Sequence, residues 1–168
     1  MATIKTTSNK KSKEQKITPF LWFNGNLEEA LKFYTSIFKN SKIVGVHRIG
    51  GAKGKIMTGT FQIEGQKFMA LDGGPLFTFS PAISFFVSCK TQKEVDYFWE
   101  KLSKGGEKQR CGWLKDKFGI SWQIIPTALG KLMGDKDPVK SRNVMNAMMQ
   151  MTKIEIKELE QAHRLKHK

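Results

Sequence analysis

A glutamine, Gln123, interrupts the apolar run ISWQII, and Cys111, Trp113 and Trp122 lie close by in CGWLKDKFGISWQIIP. Aromatic surface with a few polar groups is how small-molecule pockets are lined, and an amide can both donate to and accept from a ligand. A second patch is FMALDGGPLFTFSPA, Phe68 to Ala82, where an apolar strand ends in an acid and two glycines and an aromatic loop follows. Asp72-Gly73-Gly74-Pro75 reads equally well as a plain turn.

Other chemistries lack their residues. No two glycines are separated by one residue, so the G-x-G of dinucleotide sites and of common S-adenosylmethionine enzymes is missing. GGAKGKI, Gly50 to Ile56, imitates a phosphate loop but has Ile49 at the first glycine position and Ile56 where a hydroxyl is needed; it reads as a hairpin connection. Metal sites need several converging His, Cys or carboxylate groups, and the body of the chain has one histidine, His47, with His163 and His167 near the end. Nothing forms a nucleophile elbow. Cys89 and Cys111 form no spaced pair and read as free thiols in a reducing cytoplasm.

The net charge of +14 raises nucleic-acid binding as a possibility. Its distribution argues against a specific reader: residues 1–16 carry +4, residues 131–168 another +4, and the intervening stretch +6. Arginine, the usual reader of base edges, is scarce, and a lysine-rich solvated surface accounts for the charge. No run of eighteen apolar residues suggests a membrane span, and the basic N-terminus lacks the apolar stretch of a secretory signal.

The elements that would position these residues follow from periodicity. Residues 1–16 read as a basic disordered tail. ITPFLWF reads as a strand, and Asn26 with Glu29 as a capping box for a helix striped by Leu27, Ala30, Leu31, Tyr34, Ile37 and Phe38. SKIVGVHRI, KIMTGTFQI and QKFMALDG read as strands, the last two joined at Glu64-Gly65. The order then recurs. AISFFVSC is a strand, Thr91 with Glu94 caps a helix striped by Val95, Phe98, Trp99 and Leu102, and EKQRCGWL and GISWQII are strand-like. A shift of 64 residues places Leu21, Trp22 and Phe23 on Phe85, Phe86 and Val87, which points to a duplicated βαβββ unit. Beyond Pro126 the chain reads as helical, with Thr127, Asp137-Pro138 and Thr152/Glu155 as three helix starts. Five of the eight methionines lie between 133 and 151, a composition suited to adaptable packing within the domain or across to a second subunit.

KITPFLWFNGNLEEALKFYTSIFKNSKI, GQKFMALDGGPLFTFSPAISFFVSC and CGWLKDKFGISWQIIP closely resemble the PhnB-like group of the glyoxalase/bleomycin-resistance (vicinal oxygen chelate) superfamily. Its members often carry the label 3-demethylubiquinone-9 3-methyltransferase. The resemblance covers Lys16 to about Met151. It implies an α+β fold of paired βαβββ modules curling into a mixed-sheet cup, usually two cups per homodimer. The expected organisation is a tail over 1–16, the glyoxalase-like domain over 17–130 with halves about 17–75 and 81–126, and a helical extension over 131–168.

In metal-using relatives the ligands come from the first, fourth, fifth and eighth strands. By this resemblance those positions are Pro19, Ala70, Ala82 and Gln123, none a good ligand, so no metal or other cofactor is expected. Strand alternation from these positions puts Phe68, Asp72, Ser84, Phe86, Ser121 and Ile125 in the cup, with Leu21 and Phe23 beside Pro19 and Trp113 as a wall. Asp72, Ser84, Ser121 and Gln123 would be its polar anchors. The leading expectation is a cytoplasmic, homodimeric, metal-free binder of an unknown small molecule. An enzyme acting on a quinone-like or other aromatic compound, including a methyltransferase, and a basic nucleic-acid-binding protein are the alternatives.

Overall fold

The computed structural model describes residues 15–165; most of the expected basic tail lies outside the described residues. The first half runs β1 (Phe20–Phe23), α1 (Leu27–Ile37), β2 (Lys42–Ile49), β3 (Lys55–Ile63) and β4 (Gln66–Asp72). The second runs β5 (Ser84–Cys89), α2 (Gln92–Ser103), β6 (Glu107–Lys108), β7 (Trp113–Lys115) and β8 (Ser121–Pro126). Each half forms its own four-stranded mixed sheet, in the orders β1-β4-β3-β2 and β5-β8-β7-β6. In each, the first and last strands pair in parallel and the rest antiparallel. The duplicated βαβββ topology is therefore present, as two separate sheets whose β1 and β5 edges stay free within the described chain.

The helical stripes do what their spacing implies. Leu27, Ala30, Leu31, Tyr34 and Ile37 of α1, and Val95, Trp99 and Leu102 of α2, are all buried. Full burial of each such aliphatic side chain favours the fold by about 1.5–3 kcal/mol. Thr91 accepts from Glu94 N, and the Glu94 carboxylate reaches back to Lys90 N. Asp137 caps Val139 N ahead of Pro138. The Glu64-Gly65 turn has both residues at positive φ, as a tight hairpin requires.

Other local expectations are corrected. Asn26 makes no side-chain cap bond, and Glu29 is drawn instead to Lys117 of the second half. Thr127 is the first residue of its helix, and the last helix starts at Ile156 with no cap bond from Thr152 or Glu155. EKQRCGWL is two strands, because Cys111 and Gly112 turn the chain with φ of 58° and 79°.

The helix-covered faces of the two sheets meet in one core. Phe38 stacks on Phe98 at 5.0 Å and on Trp122 at 5.6 Å, and Phe68 meets Phe85 edge-on. At the centre the Asp116 carboxylate accepts from Tyr34 Oη (2.7 Å), Trp122 Nε1 (2.8 Å), Phe118 N (2.9 Å) and Ile120 N (3.0 Å). Helices α3 (Thr127–Met133), α4 (Pro138–Gln150) and α5 (Ile156–Arg164) pack a second core of Leu129, Val144, Met151, Ile154 and Leu159. They are tied to the second half of the same chain: Cys111 N and Gly112 N donate to Met151 O and Thr152 O, and Ile156 N to Gln92 Oε1. Among the described residues no helix is long and apolar enough to cross a membrane.

Candidate functional site

β8 is short and sits between β5 and β7, so its alternate residues face two different environments. Trp122 and Ile124 enter the core. Gln123 points the other way, opposite Phe86 of β5 and Trp113 of β7, while Ser121 lies opposite Ser84. Gln123 Nε2 donates to Ser84 Oγ at 2.9 Å. The Ser121 residue is only 1% exposed and its hydroxyl has no hydrogen-bond partner among the described residues, an arrangement that normally calls for an explanation. Ser84, Phe86, Trp113, Ser121 and Gln123 are thus brought together on the outer face of the second sheet, with Phe86 60% exposed.

The remaining members of the expected pocket are not on that kind of face. Leu21, Phe23, Phe68 and Asp72 are all buried on the helix-packed side of the first sheet, where Leu21 pairs with Ala70 and Phe23 with Asp72. The Asp72 carboxylate is engaged there, accepting from Gly25 N and lying 3.4 Å from Lys55 Nζ. It holds the end of β4 to the β1–α1 loop. The face-sharing expectation fails for a simple reason: both faces of β1 carry large apolar residues, so hydrophobicity does not distinguish them.

The outer face of the first sheet is built by residues not anticipated. Phe20, His47, Thr58, Thr60 and Met69 line a shallow hollow of about 280 Å³. Beside it Trp22 donates to Gly74 O at 2.9 Å and meets Phe77 edge-on, and a Cβ at Gly73 would lie 2.2 Å from its indole, so only glycine fits there. A signal was available. The 64-residue repeat matches Trp22, not Leu21 or Phe23, to Phe86, and the pairing carries this through: Trp22 opposes Leu71 as Phe86 opposes Gln123. Leu71, rather than Ala70, is the positional counterpart of Gln123.

A divalent metal does not fit these positions. Leu71, Ala70 and Ala82 offer only carbon, the Pro19 carbonyl accepts from Met69 N, and the Gln123 amide is bonded to Ser84. Among the described residues no three His, Cys, Asp or Glu side chains converge. Nor is a reactive thiol formed at Cys89, whose pKa burial pushes up to about 12, with Glu94 adding to the shift. Burial also raises Asp116 above the usual carboxylate value, against the lowering effect of its four donors, and it raises the Tyr34 phenol, helped by the Asp116 charge. This buried pair is built to join the halves.

Two βαβββ modules with these edges and faces define a protein of the vicinal oxygen chelate fold. Residues 15–125 match the model of the 3-demethylubiquinone-9 3-methyltransferase family, and the chain belongs to that family. It is 40% identical to the PhnB protein from Bacillus cereus, over 67% of this chain and all of that one, with a TM-score of 0.63. Protein PA1353 from Pseudomonas aeruginosa is 22% identical over 64% of this chain and 94% of that one, with a TM-score of 0.55, a likeness of fold. Among curated proteins none matches.

Proposed function

We propose that this protein is a metal-free binder of a small, partly apolar molecule, held against the outer face of the second sheet by Gln123 and Ser84. The observation that carries this is the half-buried Gln123–Ser84 hydrogen-bonded pair, an amide and a hydroxyl set between exposed Phe86 and half-buried Trp113. The Gln123 amide spends one N–H on Ser84 and keeps its oxygen and second N–H for a ligand. Phe86 and Trp113 supply the apolar wall.

The cup is completed in this reading by a second copy of the chain. Phe20, Met69 and Phe86 are exposed on outer faces, and β1 and β5 each present a free edge. Unpaired strand edges beside apolar side chains favour pairing with another chain. Light scattering at micromolar concentration is expected to give a dimer, and Phe86→Asp a monomer.

The ligand reading is tested by a crystal structure of the protein as purified. Density contacting Gln123 is expected. An outer face closed by side chains of the second chain, with no room left, would overturn it. Metal analysis is expected to find no stoichiometric nickel, zinc, iron or manganese, and finding one would sink the metal-free part. The family's description favours a second reading, an enzyme acting on a quinone-like or other aromatic compound. Calorimetry with S-adenosylmethionine separates the two: heat with a defined stoichiometry supports the methyltransferase, and none at high concentration removes it.

A further inference from the structure

The methionines of the helical extension are not all spent on packing. Met151 belongs to the second core, and Met133 and Met148 pack against it. Met145 and Met149 stand outside it, 46% and 51% exposed. They lie one turn apart on α4, so they share one face of the helix. At the turn between β6 and β7, the Cys111 thiol lies 3.8 Å from the Met149 thioether.

The contact joins residues 38 apart in the chain, and the backbone holds it in place. Cys111 N and Gly112 N each donate at 2.8 Å, to Met151 O and Thr152 O, just past the end of α4. Gly112 seats the turn closely, since a Cβ there would lie 2.8 Å from Ile125 Cδ1. Cys111 itself is only partly covered, whereas Cys89 is fully enclosed.

A thiolate and a thioether are soft donors, and together they suit monovalent copper better than harder ions. Two sulfurs 3.8 Å apart can share one ion at about 2.3 Å each, with an angle at the metal of about 110°. The pair therefore stands at ligating distance before any ion arrives. Met145 can swing in from one turn earlier, because its side chain is unbranched and adaptable. Among the described residues no set of three His, Cys, Asp or Glu side chains competes for the ion.

We propose that Cys111, Met149 and Met145 form a surface site for one copper(I) ion, bound through three sulfurs. Cys111 gives up its thiol proton on binding. The ion ties the β6–β7 turn to α4, at the junction that the Met151 and Thr152 carbonyls already hold. The site uses neither Gln123 nor Ser84, and the ligand patch stays metal-free.

The test is an anaerobic titration of the full chain with copper(I) against bicinchoninate, a coloured chelator that competes for the ion. The protein is expected to withdraw one copper(I) per chain. Cys111→Ser abolishes this, and Met149→Leu and Met145→Leu each weaken it at least tenfold. Both methionines are exposed, so their leucine variants are expected to keep the wild-type melting curve. X-ray absorption of the loaded wild type, which needs no variant, is expected to show sulfur alone around the copper. No copper(I) taken from the chelator, binding that survives Cys111→Ser, or nitrogen in the copper shell overturns the site. Binding unmoved by either methionine change reduces it to an exposed thiol and overturns it too. Zinc(II) held as tightly as copper(I) overturns the soft, monovalent class.

Discussion

The two halves of this protein share a topology and differ in what covers them. The first has long strands of eight, nine and seven residues in β2, β3 and β4, and an outer face that carries exposed Phe20 and Met69. The second has strands of two, three and six residues in β6, β7 and β8, too few for a sheet to stand by itself. It is braced by α3–α5, whose residues Met151 and Thr152 accept the amides of Cys111 and Gly112. The outer face of the first half is apolar with two threonines and a histidine; that of the second holds the amide and two serines. Duplication thus supplied one scaffold twice, and the second copy exchanged strand length for polar chemistry and an external support.

The largest expected effect strikes the joint between the halves. Asp116→Ala orphans the Tyr34 hydroxyl, the Trp122 indole and two backbone amides, and is expected to destabilise by about 3–5 kcal/mol in urea unfolding. Two separate transitions in the variant, where the wild type shows one, would show that the halves fold independently once this bond set is cut. Next, Leu159→Ala opens a cavity in the second core at a cost of about 2–5 kcal/mol. Hydrogen exchange at Cys111 and Gly112 is expected to quicken while β3 and β4 stay protected; equal loss in both halves would deny that the extension braces only the second.

Ser121→Ala is expected to be neutral or stabilising by up to about 1 kcal/mol in ligand-free protein, because it removes an unpaired buried hydroxyl. Destabilisation beyond that would mean the hydroxyl already has a partner. The smallest effect belongs to the first half. Glu28 is held down to about 2 from 4.5, chiefly by its hydrogen bond from Arg48 and then by Lys32. Since the folded value lies below the unfolded one, its stabilising contribution is present above pH 4.5 and is lost as pH falls towards 2. A carboxyl chemical-shift titration is expected to show the low midpoint, and Arg48→Ala to return it towards 4.5.

Most of the fold was legible in the chain. The stripes of α1 and α2, the Glu64-Gly65 hairpin, the Asp137-Pro138 start and the 64-residue repeat are local patterns, set by helical and strand periodicity over short spans. The Asn26 capping box was not: Asn26 has ψ 17° where the capping Thr91 is extended at 160°, and Glu29 reaches Lys117, 88 residues away. Nor was the break at Cys111, where a non-glycine residue adopts positive φ.

The candidate site divides in the same way. Alternation correctly grouped Ser84, Phe86, Ser121 and Gln123, and it grouped Leu21, Phe23, Phe68 and Asp72, but it could not say that the two groups face opposite ways. The sequence by itself determined the elements, their duplication and the family, because these rest on periodicity and on residue types at short range. Only the tertiary structure decided which face of each sheet is inside and that Asp116 joins the halves. Those outcomes depend on how α1 and α2 pack against both sheets at once, a balance of contacts between residues far apart in the chain that no local pattern encodes.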